Sequence, residues 1–249
     1  AWRRAKIAEL EMGSDFGVTA VTGEDRFRQE YPNTANEAFD APVPGAYYAK
    51  LLQEAEADGR ITDVPWERGK PVDTAWDIGK SDSTVIWFCQ QVNGWNHIID
   101  HYEMSGQDVS HYVKVCKEKP YVYRDHIWPH DGGRGDWSSA KTRAQIASEL
   151  GLTPRILNQE QDVTDGINAV RRMLPTCRFD KRKCHDGIEA LRHYHAEYDE
   201  ARKAFRVTPY HDWSSDHADA FRYLARGLPS VSYEQPKRDR YTRRAASGG

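Results

Sequence analysis

Three aspartates stand where carboxylates could do chemistry. Asp77 closes the run VDTAWDIG, Asp131 follows YRDHIW in the segment WPHDGG, and Asp219 lies in SSDHADAFRYLA. Gly79 and Gly132 follow the first two, so backbone or ligand can approach closely there. Ala218 and Ala220 flank the third and are small enough for a helix to press against a sheet. A carboxylate is costly to desolvate unless a positive partner meets it, and three that converge repel one another unless cations bind between them. Hard oxygen donors select Mg²⁺ or Mn²⁺ rather than zinc. Two such ions, about 4 Å apart, can activate water and stabilise the leaving oxygen in an in-line attack on a phosphodiester. Taken singly, each aspartate is also an ordinary turn or cap residue, so the reading depends on convergence.

Other residues could support such a centre. Asp216 lies three residues before Asp219, on the same helix face, and is a further candidate metal ligand; capping by Ser215 or Asp216 is the structural alternative. Asp82, in GKSDST, could assist a metal through water, or simply start a strand. His130, His211 and His217 flank the motifs and could orient carboxylates or water, although each, taken alone, is more often a packed or solvent-facing histidine. Arg134, Lys141 and Arg143 follow the second aspartate, with Trp137 among them, and are candidate phosphate contacts. A solvated polar loop is the competing account.

The elements that must position these residues read as follows. Residues 1–70 form an arm: a polar helix ending near Gly13, a capped turn in YPNTANEAF, a helix in GAYYAKLLQEAEADGRI up to Gly59, and the linker PWERGKP. Strands are expected at Val72–Ile78, Thr84–Gln91 and Trp95–Met104, the last two joined at Asn93-Gly94, which supplies the positive φ angles of a tight turn. A helix over Gln107–Lys119, a strand in YRDHIW, a helix over Ser138–Leu150 closed by Gly151, and a strand in TPRILN come next. Then follow a helix over Val163–Leu174, a short strand CRFD, one long helix over Asp186–Arg202, and a final helix over Ser215–Ala225. Leu191, Tyr194 and Tyr198 make a core stripe on the long helix. Three antiparallel strands followed by alternating helix and strand indicate an α/β domain with a mixed sheet over residues 71–228. Residues 229–249, ending in QPKRDRYTRRAASGG, are a basic tail without apolar periodicity, expected to be disordered.

The bulk numbers exclude little else. The 249 residues carry 35 basic against 38 acidic side chains, a near-neutral balance that names no partner and argues against tight stand-alone DNA binding. Mean hydropathy is −0.83, and no apolar run approaches the roughly 20 residues of a bilayer span, so neither a membrane nor a secretory leader is expected. Cys89, Cys116, Cys177 and Cys184 are scattered and are expected to be reduced thiols, partly in the core, rather than a disulfide framework or a zinc site.

The ordered set of motifs resembles the C-terminal nuclease domain of the large terminase subunit of tailed bacteriophages, the DNA-packaging motor. WDIGKSDSTVIWF is similar to the first nuclease motif, WPHDGG to the second and HDWSSDHADAFRYLA to the third; YPNTANEAF resembles the segment that closes the motor's ATPase domain. CRFDKRKCHDGIEALRHYHAEYDE is similar to the stretch before the third motif, and the likeness covers roughly residues 25–228. It implies an RNase H-like fold and a two-metal endonuclease cutting concatemeric double-stranded viral DNA, with Asp77, Asp131 and Asp219 as catalytic carboxylates. It also implies a portal protein and a small terminase subunit as partners, in the host cell cytoplasm. The chain carries no GxxxxGK[ST] phosphate loop, so an excised nuclease domain, monomeric by itself, with the end of the ATPase domain attached, is the expected organisation. Two alternatives remain: a docking module of the motor whose carboxylates are structural, and an actin-like nucleotide-binding domain, to which DIGKSDST is also similar.

Overall fold

The computed structural model describes residues 43–79, 83–132 and 141–230. The expected first helix, the YPNTANEAF turn, Asp82, Arg134, Trp137 and the tail from 231 onward lie outside the described residues. The remaining chain runs through α1 (Ala49–Ala57), β1 (Ile61–Thr62), β2 (Val72–Ile78), β3 (Ser83–Val92), β4 (Trp95–Ser105), α2 (Val109–Glu118) and β5 (Tyr123–Trp128). It continues through α3 (Arg143–Glu149), β6 (Arg155–Ile156), α4 (Val163–Met173), β7 (Cys177–Asp180), α5 (His185–His193), β8 (Ala196–Asp199), β9 (Ala204–Pro209) and α6 (Ser215–Gly227).

Seven strands form one sheet in the order β1-β7-β4-β3-β2-β5-β6. β2, β3 and β4 are antiparallel, while β5 runs parallel to β2, β6 to β5, and β7 to β4. This is the RNase H-like mixed sheet, flanked by helices, that the resemblance implies. The β3–β4 turn has Asn93 at φ 49° and Gly94 at φ 80°, the left-handed pair that its Asn-Gly sequence favours.

Side-chain alternation along β2 decides which residues face which layer. Val72 and Trp76 enter one apolar cluster with Ile86, Phe88, Tyr112 and Trp128, covered by α2 and α3. Ala75 enters the other cluster, with Ala218, Ala220, Phe221, Ile167 and Leu191 from α4, α5 and α6. Asp73 and Asp77 share the parity of Ala75 and therefore lie on the α6 side. α1 also packs into that layer through Leu52, and β1 adds to the sheet edge by pairing with β7.

Several expectations are corrected. The long helix expected over Asp186–Arg202 ends at His193, and a β-hairpin of β8 and β9 follows. Tyr194 leaves the helical region (ψ 114°) and packs its ring 5.2 Å from Tyr47 and 5.7 Å from Tyr48, while His195 bridges to Ala46. These long-range contacts outweigh helical spacing. Asp199 then accepts from the amides of Ala201 and Arg202, which turns the chain, and Tyr198, expected in the core, is 45% exposed. Leu191 and Tyr194 are buried as expected. α3 begins at Arg143 rather than Ser138, because Thr142 forms a capping box with Gln145. The four cysteines are free and buried. Among the described residues, no helix is long and apolar enough to cross a membrane.

Candidate active site

β2 and β5 run parallel, so their C-terminal ends open on the same side of the sheet, where ligands bind in open α/β folds. Asp77 is the penultimate residue of β2, opposite Val85 of β3. Asp131 sits in the turn after β5, closed by the Gly132 amide donating to the Pro129 carbonyl (3.0 Å). A Cβ on Gly132 would lie 3.2 Å from that carbonyl and 3.5 Å from Ile78 Cδ1. The absence of a side chain thus lets the Asp131 turn lie against the tip of β2.

α6 crosses β2, β3 and β5 on the face of the sheet that Ala75 shares with Asp77. Ala218, Ala220, Phe221 and Leu224 are buried, and Gly227 passes so close to β5 that a Cβ would meet Ile127 at 2.7 Å. The helix is entered through Asp212, whose carboxylate accepts from the Ser214 amide (2.8 Å) and hydroxyl (2.6 Å). These bonds shape the turn before the helix; the N-cap residue is Ser214, not Ser215 or Asp216, and it makes no side-chain capping hydrogen bond. Asp219 projects from the second turn of α6.

The electrostatics tie these positions together. Burial, then the negative charges of Asp219, Asp216 and Asp131, pushes the Asp77 carboxyl well above the usual carboxylate range, and the Arg222 guanidinium acts the other way. Burial also raises the Asp219 carboxyl, against the charge and hydrogen bond of Arg222 and the charge of His211. Asp219 is crowded, yet its side chain keeps 31% of its exposure, so it faces an opening. Burial and then the charges of Asp77 and Asp219 raise the nearby Tyr223 phenol, with Asp131 contributing less. Asp131, Asp216 and Asp219 therefore all act on Asp77, at one end of the sheet.

The donor set is all carboxylate oxygen, the type that holds Mg²⁺ or Mn²⁺. A hard divalent cation would supply the charge that stabilises ionised Asp77 against burial and like-charge repulsion, so the residues present fit such an ion chemically. Among the described residues, no three His, Cys, Asp or Glu side chains stand close enough together to hold one ion. Asp219 shares one oxygen with Arg222 at 2.8 Å.

The other expected site residues are placed differently. Arg143 donates to the Ile78 carbonyl (3.0 Å), one residue beyond Asp77, and so braces the strand tip. Lys141 is ion-paired with Glu149 at 2.7 Å. His217 turns away from the aspartates: it stacks on His101, with ring nitrogens 3.0 Å apart, and faces Glu103 at 3.3 Å. His211 is exposed and close enough to act on Asp219. Sequence reasoning missed Arg222 and Glu160. The Asp219–Arg222 spacing of three on one helix was a readable signal, whereas Glu160, 62 residues from its partner, carried none.

No protein-family model matches the chain, and no curated protein is similar to it by sequence. Solved structures are similar in fold. The large terminase of a thermophilic bacteriophage superposes with a TM-score of 0.56 at 17% identity, over 76% of this chain and 46% of that one. The chain thus spans about half the length of that protein. The P22 large terminase nuclease domain matches at TM-score 0.48 and 17% identity, over 66% of this chain and 86% of that domain. The nuclease domain of the bacteriophage SPP1 large terminase, solved with bound Mn, matches at TM-score 0.48 and 13% identity, over 65% and 89%.

Proposed function

We propose that the chain is the nuclease part of a DNA-packaging motor, an endonuclease that hydrolyses phosphodiester bonds of concatemeric double-stranded DNA with Mg²⁺ or Mn²⁺. One observation carries this reading: Asp77, half-buried at a strand tip, is acted on by the negative charges of three further aspartates. Such an arrangement is unfavourable for the apoprotein and favourable for a cation-loaded one. The likeness to the full-length large terminase of the thermophilic phage supports the fold on which the site is built.

Asp77, Asp131 and Asp219 would hold the ions, with Asp216 in support. When bound, two divalent ions supply Lewis-acid activation of water and neutralise charge on the phosphodiester. Asp77 is fixed by its strand pairing with Val85. Arg143 holds the Ile78 carbonyl and so the direction of the strand tip. Lys141 and Arg134 remain candidates for DNA phosphates, and binding through them would weaken steeply with salt. Residues 1–70 are proposed as the end of an ATPase domain with its linker, and 229–249 as a basic tail. A portal protein and a small terminase subunit are the proposed partners, the host cell cytoplasm the proposed location, and a monomer the proposed state of this chain alone.

The test is plasmid cleavage in Mg²⁺ or Mn²⁺ by the wild type and by Asp77→Ala, Asp131→Ala and Asp219→Ala. Cleavage by the wild type alone is the expected result. Equal cleavage by all four would eliminate the site. No cleavage by any of them would favour a docking module with structural carboxylates, and tight ATP binding would favour the actin-like alternative.

A further inference from the structure

We propose that Arg222, anchored by Glu160, is a positioning residue that fixes the Asp219 carboxylate for divalent-metal binding; the inference rests on the proposed metal site. Arg222 projects from α6 one turn beyond Asp219, and its side chain is only 6% exposed. Its two terminal nitrogens have separate targets: one donates to Glu160 Oε2 at 3.2 Å, the other pairs with Asp219 Oδ1 at 2.8 Å. The planar guanidinium makes the two contacts geometrically dependent, so the position of Glu160 sets the position of the Asp219 oxygen.

Glu160 is itself held. It lies in the connection between β6 and α4, 14% exposed, with Arg226 Nε 3.6 Å from its other oxygen. α4 approaches through Gly166, where a Cβ would overlap Glu160 Oε1 and come within 3.2 Å of Arg222 Cδ. Glycine in mid-helix is unfavourable, and here it clears the space that the Glu160–Arg222 pair occupies. A buried ion pair is weak grounds for stability. Its consequence here is directional: Asp219 Oδ1 is committed to Arg222, which leaves Oδ2 for a metal ion.

Outer partners of this type commonly change metal affinity by about 10- to 100-fold. The test is the Mn²⁺ dissociation constant of the full 249-residue chain, measured by calorimetry alongside the thermal midpoint. The variants are Arg222→Lys, Glu160→Gln, their combination, and Asp77→Asn as the control that should lose binding. We expect Arg222→Lys to weaken Mn²⁺ binding about tenfold or more and Glu160→Gln by less. The double variant should match Arg222→Lys alone, because both act through one relay. A purely structural pair would lower the thermal midpoint and leave Mn²⁺ affinity within about twofold of wild type. That result, with Asp77→Asn still abolishing binding, overturns the relay and leaves the metal site standing. A wild type that binds no Mn²⁺ overturns both. If Arg222→Lys does not fold, Glu160→Gln decides: unchanged affinity overturns the relay and weakened affinity supports it.

Discussion

β2 carries two aspartates on the same face, four residues apart, and they meet opposite surroundings. Asp73, at one end, is 1% exposed and gripped by the Arg124 guanidinium, which contacts both its oxygens. Burial still raises its carboxyl, but hydrogen bonding and charge from Arg124 oppose that rise. Asp77, at the other end, is surrounded by like charges that add to burial. The first arrangement is a solved desolvation problem. On the proposed reading the second is left for a cation to solve, which would give one strand a structural end and a reactive end with the same residue type.

The sharpest break of that comparison is Asp77→Asn. Even outer partners of a metal site cost about 10- to 100-fold, so losing a ligand should lower metal-dependent cleavage by at least about a hundredfold. The thermal midpoint should hold or rise, because a repelled buried charge is gone. A midpoint that falls with activity would mean Asp77 is a structural residue like Asp73.

A second prediction concerns the structural side of the same strand. His126 is buried beside Thr74 of β2, with Nδ1 2.7 Å from the Thr74 hydroxyl, which also accepts from Trp76 Nε1 at 2.7 Å. Burial lowers its pKa from 6.5 to about 4. The unfolded chain takes up the proton first, so stability is full above about pH 6.5 and falls as pH drops toward 4. The loss from this group amounts to about 3 kcal/mol at most. Denaturant titrations from pH 7 to 4 should show that slope in the wild type and a shallower one in His126→Gln.

Asp73→Ala should behave as the inverse of Asp77→Asn. Removing the partner of Arg124 should cost about 2 kcal/mol of stability, read from chemical denaturation, with cleavage per folded molecule unchanged. The smallest effect is expected at Arg143→Ala. Losing one hydrogen bond to the Ile78 carbonyl should cost about 1 kcal/mol of stability, read as a small fall in the denaturation midpoint, and should slow cleavage by loosening the strand tip.

Much of the frame was legible because it depends on local rules. Apolar alternation marked β2, β3 and β4, Asn93-Gly94 marked their turn, and small residues on both sides of Asp219 marked a helix that approaches a sheet closely. What escaped depends on distant partners. The helix expected past Tyr194 stops there because Tyr47 and Tyr48, nearly 150 residues earlier in sequence, hold its ring. β1 finds its place only by pairing with β7. Arg222 was readable as a helix neighbour of Asp219, but its anchor Glu160 was not, since nothing local distinguishes a buried glutamate from a solvated one.

The most direct measurement is anomalous diffraction from crystals of this chain soaked in Mn²⁺. The account predicts anomalous peaks bound by Asp77 together with Asp219 or Asp131, lost in Asp77→Asn crystals. Peaks confined to other surfaces, in crystals of a protein that cleaves DNA, would contradict it.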